Sequence, residues 1–391
     1  MAHLDVEKLC MFLARAEHVP DWSHISPAEW EQLVTTAHHE SVAPLLYHLL
    51  HTADVLECVP PQLGQSLRGS YRATLARNSL LFQELSRILH TVPDMPIVML
   101  KGAALAPTLY GDIGLRPMSD IDLLVSHEHL IPLEHAFAIA GCRRVEMVPG
   151  LEDITGQVQL SGPHTPLAID LHWGLIAGFD DRRSPPVDWF FEHAEPWALP
   201  DNTLHALQLS PTANLLYLSA HLMIRHGGEW IRLLRFYDLH LVCERQGHRV
   251  NWDELIERAA EYHWAASLYA AMQMTQQLFA TPLPAGWLEQ LAARCTPTEQ
   301  HDIAAIQQLP QTQTIRALQH LAGLPWRARA RLVRAIMFPT RQYLRWRYPL
   351  DLPHVLDWLY YPYRWFDIGR DSVTTLSYML YRKDREERDG T

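Results

Sequence analysis

Residues 100–125 read LKGAALAPTLYGDIGLRPMSDIDLLV. The stretch closes on two aspartates separated by one isoleucine. Side chains alternate faces along a strand, so in SDIDLLV (119–125) Asp120 and Asp122 share one face. Ile121, Leu123 and Val125 share the other and fix the strand onto a core. Two neighbouring carboxylates repel each other, and a cation between them relieves the repulsion. A divalent ion suits the position, because Mg²⁺ takes oxygen ligands from one or two carboxylates, phosphates and water.

A lone Asp-x-Asp also describes a solvated sheet edge, so its companions decide the reading. LAIDLHW (167–173) repeats the pattern: Asp170 and His172 alternate with Ile169, Leu171 and Trp173. Three carboxylates on two strands of one sheet make a two-metal cradle, able to orient an acceptor hydroxyl for in-line attack on a triphosphate. His172 shares the face of Asp170, either supporting that carboxylate or simply packing. Upstream, PIVMLK (96–101) is a short buried strand, Gly102 allows a tight turn, and a helix starts at once. That helix start is a natural phosphate seat, to which Lys101 and Arg116 add charge. Neither a GxxxxGK[ST] loop nor a GxGxxG fingerprint occurs, which excludes P-loop and Rossmann readings.

The surroundings are helical. SPAEWEQLVTTAHHE carries a start signal in Ser26, Pro27 and Glu29, and a longer helix is predicted over Leu63–His90. HEHLIPLEHAFAIAG (127–141) is a helix ended by Gly141, and CRRVEMV and ITGQVQL add strands. From about residue 181 helices return. The expected division is an N-terminal helical region (1–91), a mixed α/β core (92–180) and a C-terminal helical region (181–391). In the last, His221, His226, Trp230, Arg232, Arg235 and Asp238 gather in the first helices. They read either as structural, with Asp238 pairing an arginine, or as a cover over a bound nucleotide or acceptor.

Composition sets the outer limits. A net charge of −11 argues against a general nucleic-acid binder with a broad basic surface. Seven arginines and no acid between Pro325 and Pro349 run against that balance. A partly solvated helix packed through Leu332, Val333, Ile336, Met337 and Phe338, an anionic partner, or a membrane surface reached with Trp346, Trp358 and Trp365 would each explain them. Five scattered cysteines without a CxxC pair read as free thiols in a reducing compartment. The N-terminus lacks a signal-peptide core and no apolar run spans a bilayer, so a cytoplasmic protein without a transmembrane segment is expected.

The pattern LKG…LY…R…SDIDLLV…IDLHW resembles the DNA polymerase β-like nucleotidyltransferase superfamily, and within it a bacterial family described as uncharacterised nucleotidyltransferases. The flanks AHHESVAPLLYHLL and AHLMIRHGGEWIRLLRFYDLHLV are similar as well. The resemblance implies an α+β fold, a small mixed-sheet core between helical regions. It also implies that Asp120 and Asp122 bind both metals, with Asp170 as the third ligand near the acceptor. Gly102 matches the turn glycine; the serine usual there is replaced by Lys101 before and Ala103 after, and Ser119 is a further candidate contact. The expected activity is Mg²⁺- or Mn²⁺-dependent transfer of a nucleoside monophosphate, most simply AMP from ATP, to an acceptor hydroxyl. The acceptor stays open among a small molecule, a peptide, a protein and RNA. A non-catalytic, nucleotide-regulated binding protein on the same fold is the alternative.

Overall fold

The computed structural model describes residues 2–14, 22, 25–92, 95–145, 156–162, 168–176, 185–197, 206–225, 232–308, 326–348, 353–370 and 373. Four helices come first: α1 (Ala2–Ala14), α2 (Pro27–His39), α3 (Ala43–Thr52) and α4 (Pro61–Leu89). The start of α2 is the expected capping box. Glu29 N–H donates to Ser26 Oγ, and the Glu29 carboxylate accepts from Ser26 N–H at 3.0 Å.

Strand β1 (Val98–Leu100) leads into α5 (Lys101–Leu105), which widens into a π-helical turn at Ala106–Tyr110. Pro107 falls at the start of that turn, where its missing N–H leaves no bond of the tighter helix unmade. Then follow β2 (Asp120–Leu124), α6 (His127–Ile139), β3 (Arg143–Arg144), β4 (Gln157–Ser161) and β5 (Ala168–His172). Gly141, at φ +93°, turns the chain out of α6 as its sequence position predicts. Residues 146–148, 154–155 and 165–167 of the expected strands lie outside the described residues.

The sheet has seven strands in the order β3-β4-β5-β2-β1-β7-β6. Its last two members, β6 (Ala194–Trp197) and β7 (Ala206–Leu209), follow α7 (Asp188–Glu192). They correct the expectation that only helices follow residue 181. AEPW and ALQL are too short to show an alternation, and Pro196 is tolerated because β6 is an edge strand. β7 nevertheless lies inside the sheet, parallel to β1.

Two cores sandwich this sheet. Met99, Ile121, Leu123, Ile169 and Leu171 point to one side, where Leu81, Phe82, Leu85 and Ile88 of α4 and Phe137 of α6 cover them. Val98, Leu100 and Leu124 point to the other, into a larger core built by α1–α3 and by helices from the C-terminal half. Those helices are α8 (Pro211–Ala220), which runs on into a π turn at His221–Arg225, α9 (Leu233–Gln246), α10 (Trp252–Glu261), α11 (Ala265–Phe279), α12 (Trp287–Ala292) and α13 (Pro297–Gln308).

The arginine segment forms α14 (Trp326–Met337) and α15 (Arg341–Arg347). Arg327, Arg329, Arg331 and Arg334 are exposed on α14. Of the apolar residues expected to pack, Leu332 is buried and Ile336 and Met337 are half-buried, whereas Val333 and Phe338 are exposed. Trp358 and Trp365 are exposed too, and the side chain of Trp346 lies outside the described residues. No helix among the described residues is long and apolar enough to cross a membrane.

A buried histidine borders the large core. His240 of α9 is buried, with Nδ1 at 2.9 Å from Thr281 Oγ1 and its ring stacked on Phe279. Burial, helped by Arg245, pushes its pKa down to about 4. Glu244, at 3.9 Å, is the nearest carboxylate. The unfolded chain therefore takes up the proton first, and the stability that neutral His240 contributes is lost as pH falls from about 6.5 to about 4. Urea unfolding at pH 7 and pH 4.5 should show a drop for the native chain that is smaller by roughly 2 kcal/mol in His240→Gln.

Candidate active site

The parallel pairing of β2 with β5 sets Asp122 directly beside Asp170, with Asp120 beside Ala168 and Leu124 beside His172. Antiparallel β4 places Gln159 next to Asp170, and antiparallel β1 places Leu100 next to Asp122. One row across four strands thus reads Gln159, Asp170, Asp122, Leu100. The alternation seen in the sequence puts all of these on the face that carries the carboxylates.

Asp122 is buried and its Oδ1 accepts two bonds, from Lys101 Nζ at 2.7 Å and with His172 Nε2 at 2.8 Å. Burial alone would raise its pKa, but Lys101 and His172 outweigh burial and hold it well below the usual carboxylate range. Asp170 shifts the other way. Burial and then the charge of Asp122 raise its pKa, opposed by the bond from Gln159 Nε2 to Oδ1 at 2.9 Å. Two neighbouring acids are therefore driven apart, one firmly ionised and one more basic than usual.

Asp122, Asp170 and His172 each offer a ligand atom within 4.8 Å of the others. This donor set fits a divalent cation. The carboxylate oxygens suit Mg²⁺ or Mn²⁺, while His172, already bonded to Asp122, acts as the partner that orients a ligand. Asp120 is not one of the three converging residues. It is half-exposed, accepts a bond from Ser119 Oγ at 2.9 Å, and lines the cleft together with Asp122.

That cleft has a volume of about 380 Å³ and is also lined by Lys101, Gly102, Arg116 and Ser119. All the candidate residues except Asp170 therefore meet on its wall, and Asp170 stands beside Asp122 on the neighbouring strand. Lys101, rather than Gly102, takes the left-handed backbone at the turn, with φ +48°. This is a costly conformation for a side-chain-bearing residue, and it places the ammonium on Asp122. Gly102 is needed for space: a Cβ there would lie 2.3 Å from Arg116 Nη1 and 2.7 Å from Met118 Sδ. α5 starts at this turn, where the sequence places a helix start, and runs on without a break into the π turn Ala106–Tyr110.

Arg116 is buried and its Nε and Nη2 clasp Asp238 of α9 at 2.8 and 2.7 Å. Asp238 also accepts from Tyr110 Oη at 2.7 Å. The pairing of Asp238 with an arginine is thus as the structural reading of this cluster expects. It commits two donors of Arg116 and leaves Nη1 turned toward Gly102. His226 and Trp230 lie outside the described residues. One participant has no motif at all: Asn78 of α4, fully buried, donates to the carbonyls of Ile113 and Arg116 at 2.6 and 2.9 Å. A polar residue interrupting the apolar stripe of a long helix is the only trace of it in the sequence.

Residues 26–280, more than half of the chain, match the family model described as uncharacterised nucleotidyltransferase. The chain belongs to this nucleotidyltransferase family. The matched span takes in α2 through α11, so family membership covers the cleft, both aspartate strands and α9. Curated proteins gave no match. Among solved structures, the solution structure of the antibiotic-resistance factor ANT(2'')-Ia matches at 16% identity over 52% of this chain and 98% of that one. Its TM-score of 0.34 is too low to bear on fold or activity here.

Removing one member of a buried ion pair strands the other. Asp238→Asn should lower the unfolding free energy of this nucleotidyltransferase by about 3–5 kcal/mol, and the double variant Arg116→Met/Asp238→Asn should recover part of the loss in chemical denaturation. Gly102→Ala should lower Tm by several degrees, because the Arg116–Met118 wall has to move; an unchanged Tm would show that the wall yields.

Proposed function

We propose that the protein transfers a nucleoside monophosphate, most simply AMP from ATP, to an acceptor hydroxyl and releases pyrophosphate. The observation that carries this is the in-register pair Asp122–Asp170 behind a cleft that also presents Asp120, Lys101 and Ser119. Asp120, Asp122 and Asp170 would hold Mg²⁺ or Mn²⁺, which, when bound, supplies Lewis-acid activation of the phosphate and of the attacking oxygen.

The chain's own residues divide the remaining work. Lys101 and His172 keep Asp122 ionised and fixed in orientation. Asp170, with Gln159 holding Oδ1, keeps Oδ2 to take the proton of the acceptor hydroxyl, a role that its raised pKa favours. As the acceptor oxygen bonds to the α-phosphorus, the bond from that phosphorus to the bridging oxygen breaks. Its electron pair leaves with pyrophosphate. Ser119 and the Gly102 backbone border the space where the phosphates would lie.

Asp120 gives the cleanest test, because it is half-exposed and, among the described residues, pairs with no cation. Purified Asp120→Asn and Asp170→Asn should fold with near-native Tm and lose at least 100-fold in transfer of α-labelled ATP into lysate fractions. Asp122→Asn should lose activity too, but with a lower Tm because half-buried Lys101 would be left without its carboxylate. Native protein that binds ATP yet labels no protein, RNA or small molecule would instead establish a nucleotide-regulated binding protein. Full transfer by Asp120→Asn would overturn the proposed site.

A further inference from the structure

Four cationic side chains line the cleft: Lys101, Arg116, Arg232 and Arg235. Three have protein partners. Lys101 bonds Asp122, Arg116 is clasped by Asp238, and Arg232 Nη1 lies 2.8 Å from the ring of His39 at the exposed rim. Arg235 differs. It stands three residues before Asp238 on α9, on the same helical face, but the oxygens of Asp238 already accept from Arg116 and Tyr110. Its Nη1 is buried and, among the described residues, has no hydrogen-bond partner. Burial and then the like charge of Arg116 lower its pKa, which only partly yields to Asp238, Asp120 and Asp122.

A guanidinium placed in this way is an unmet demand for an anion. Folding has taken its Nη1 out of water without supplying an acceptor, while the rest of the side chain lines the cleft, and arginine is the side chain best shaped to grip phosphate oxygens with two donors. The carboxylates of β2 occupy one part of the cleft wall and Arg235 another, so a ligand with a metal-binding phosphate and a further anionic tail would satisfy both. We infer that Arg235 receives the terminal diphosphate of the bound nucleoside triphosphate. This rests on the nucleotidyl-transfer reading given above. Arg235 would then touch the leaving pyrophosphate, where negative charge grows as the bond to the α-phosphorus breaks, and favour transfer as well as binding.

Calorimetric titrations with ATP, AMP, inorganic pyrophosphate and inorganic phosphate, each with Mg²⁺, test it on the native chain, Arg235→Gln and Arg235→Lys. The glutamine variant should bind ATP and pyrophosphate 10- to 100-fold more weakly and AMP unchanged, with the lysine variant between. Its Tm without ligand should equal or exceed the native value, since a half-buried charge with an unpaired Nη1 has gone. Unchanged ATP and pyrophosphate binding in Arg235→Gln overturns the inference while the nucleotidyl-transfer reading stands. Loss confined to inorganic phosphate also overturns it, by assigning Arg235 to an anionic group on the acceptor. A Tm several degrees lower overturns it by showing a structural role. A native chain that binds neither ATP nor pyrophosphate removes both the inference and the reading beneath it.

Discussion

The buried charge of Asp122 is the constraint around which the site is organised. A carboxylate at 5% exposure is unstable alone. A neighbouring strand and a strained turn supply its partners: His172 from β5, and Lys101 from the residue after β1. The left-handed backbone of Lys101 becomes intelligible on this account. The turn bears an unfavourable φ because the ammonium it positions keeps the neighbouring carboxylate ionised. Burial makes Asp170 more basic, and the ionised Asp122 beside it in register adds to the shift. Burial and this one charge together set the two acids apart.

A second constraint follows from geometry. The segment between the π turn and β2, residues 111–119, has no regular structure, yet it must hold Arg116 and Ser119 in place. It is tied from behind by α4. Tyr71 donates to Asp112 at 2.8 Å, Asn78 grips the carbonyls of Ile113 and Arg116, and Arg77 reaches the carbonyl of Ser119. From in front, Asp238 of α9 holds the Arg116 side chain. Gly102 then has no room for a Cβ because both sides of the loop are fixed. A loop anchored from two helices positions a site more firmly than its own sequence could.

Much of this was legible in the chain itself. Period-two alternation in SDIDLLV and LAIDLHW named the carboxylate face, and β2 and β5 carry it side by side. The capping box of α2 and the extent of α4 were equally plain, because local chemistry decides both. Partners across long sequence distances were not legible. Asn78 and Arg116 are 38 residues apart, and Arg116 and Asp238 are 122 apart. Neither pair leaves a periodic trace, although an arginine partner for Asp238 could be expected from composition alone. β6 and β7 were hidden for a different reason. Four residues each, one with a proline, fall below the length at which alternation can be told from chance.

These long-range ties bear on how the α/β core relates to the helices around it. The carboxylates belong to the sheet, yet the environment that tunes them does not. α4 anchors the loop that precedes β2, α9 neutralises Arg116, and β7 pairs with β1 from beyond the core's expected end. The two helical regions also touch each other: Leu233 N–H, at the start of α9, donates to Glu40 just after α2 at 2.8 Å. A fragment cut at residues 92 and 180 would keep Asp120, Asp122 and Asp170 but leave Arg116 without its carboxylate and β1 without a neighbour on one side. The cleft is thus a joint product of all three regions. Its chemistry depends on helices that contribute none of the three acids.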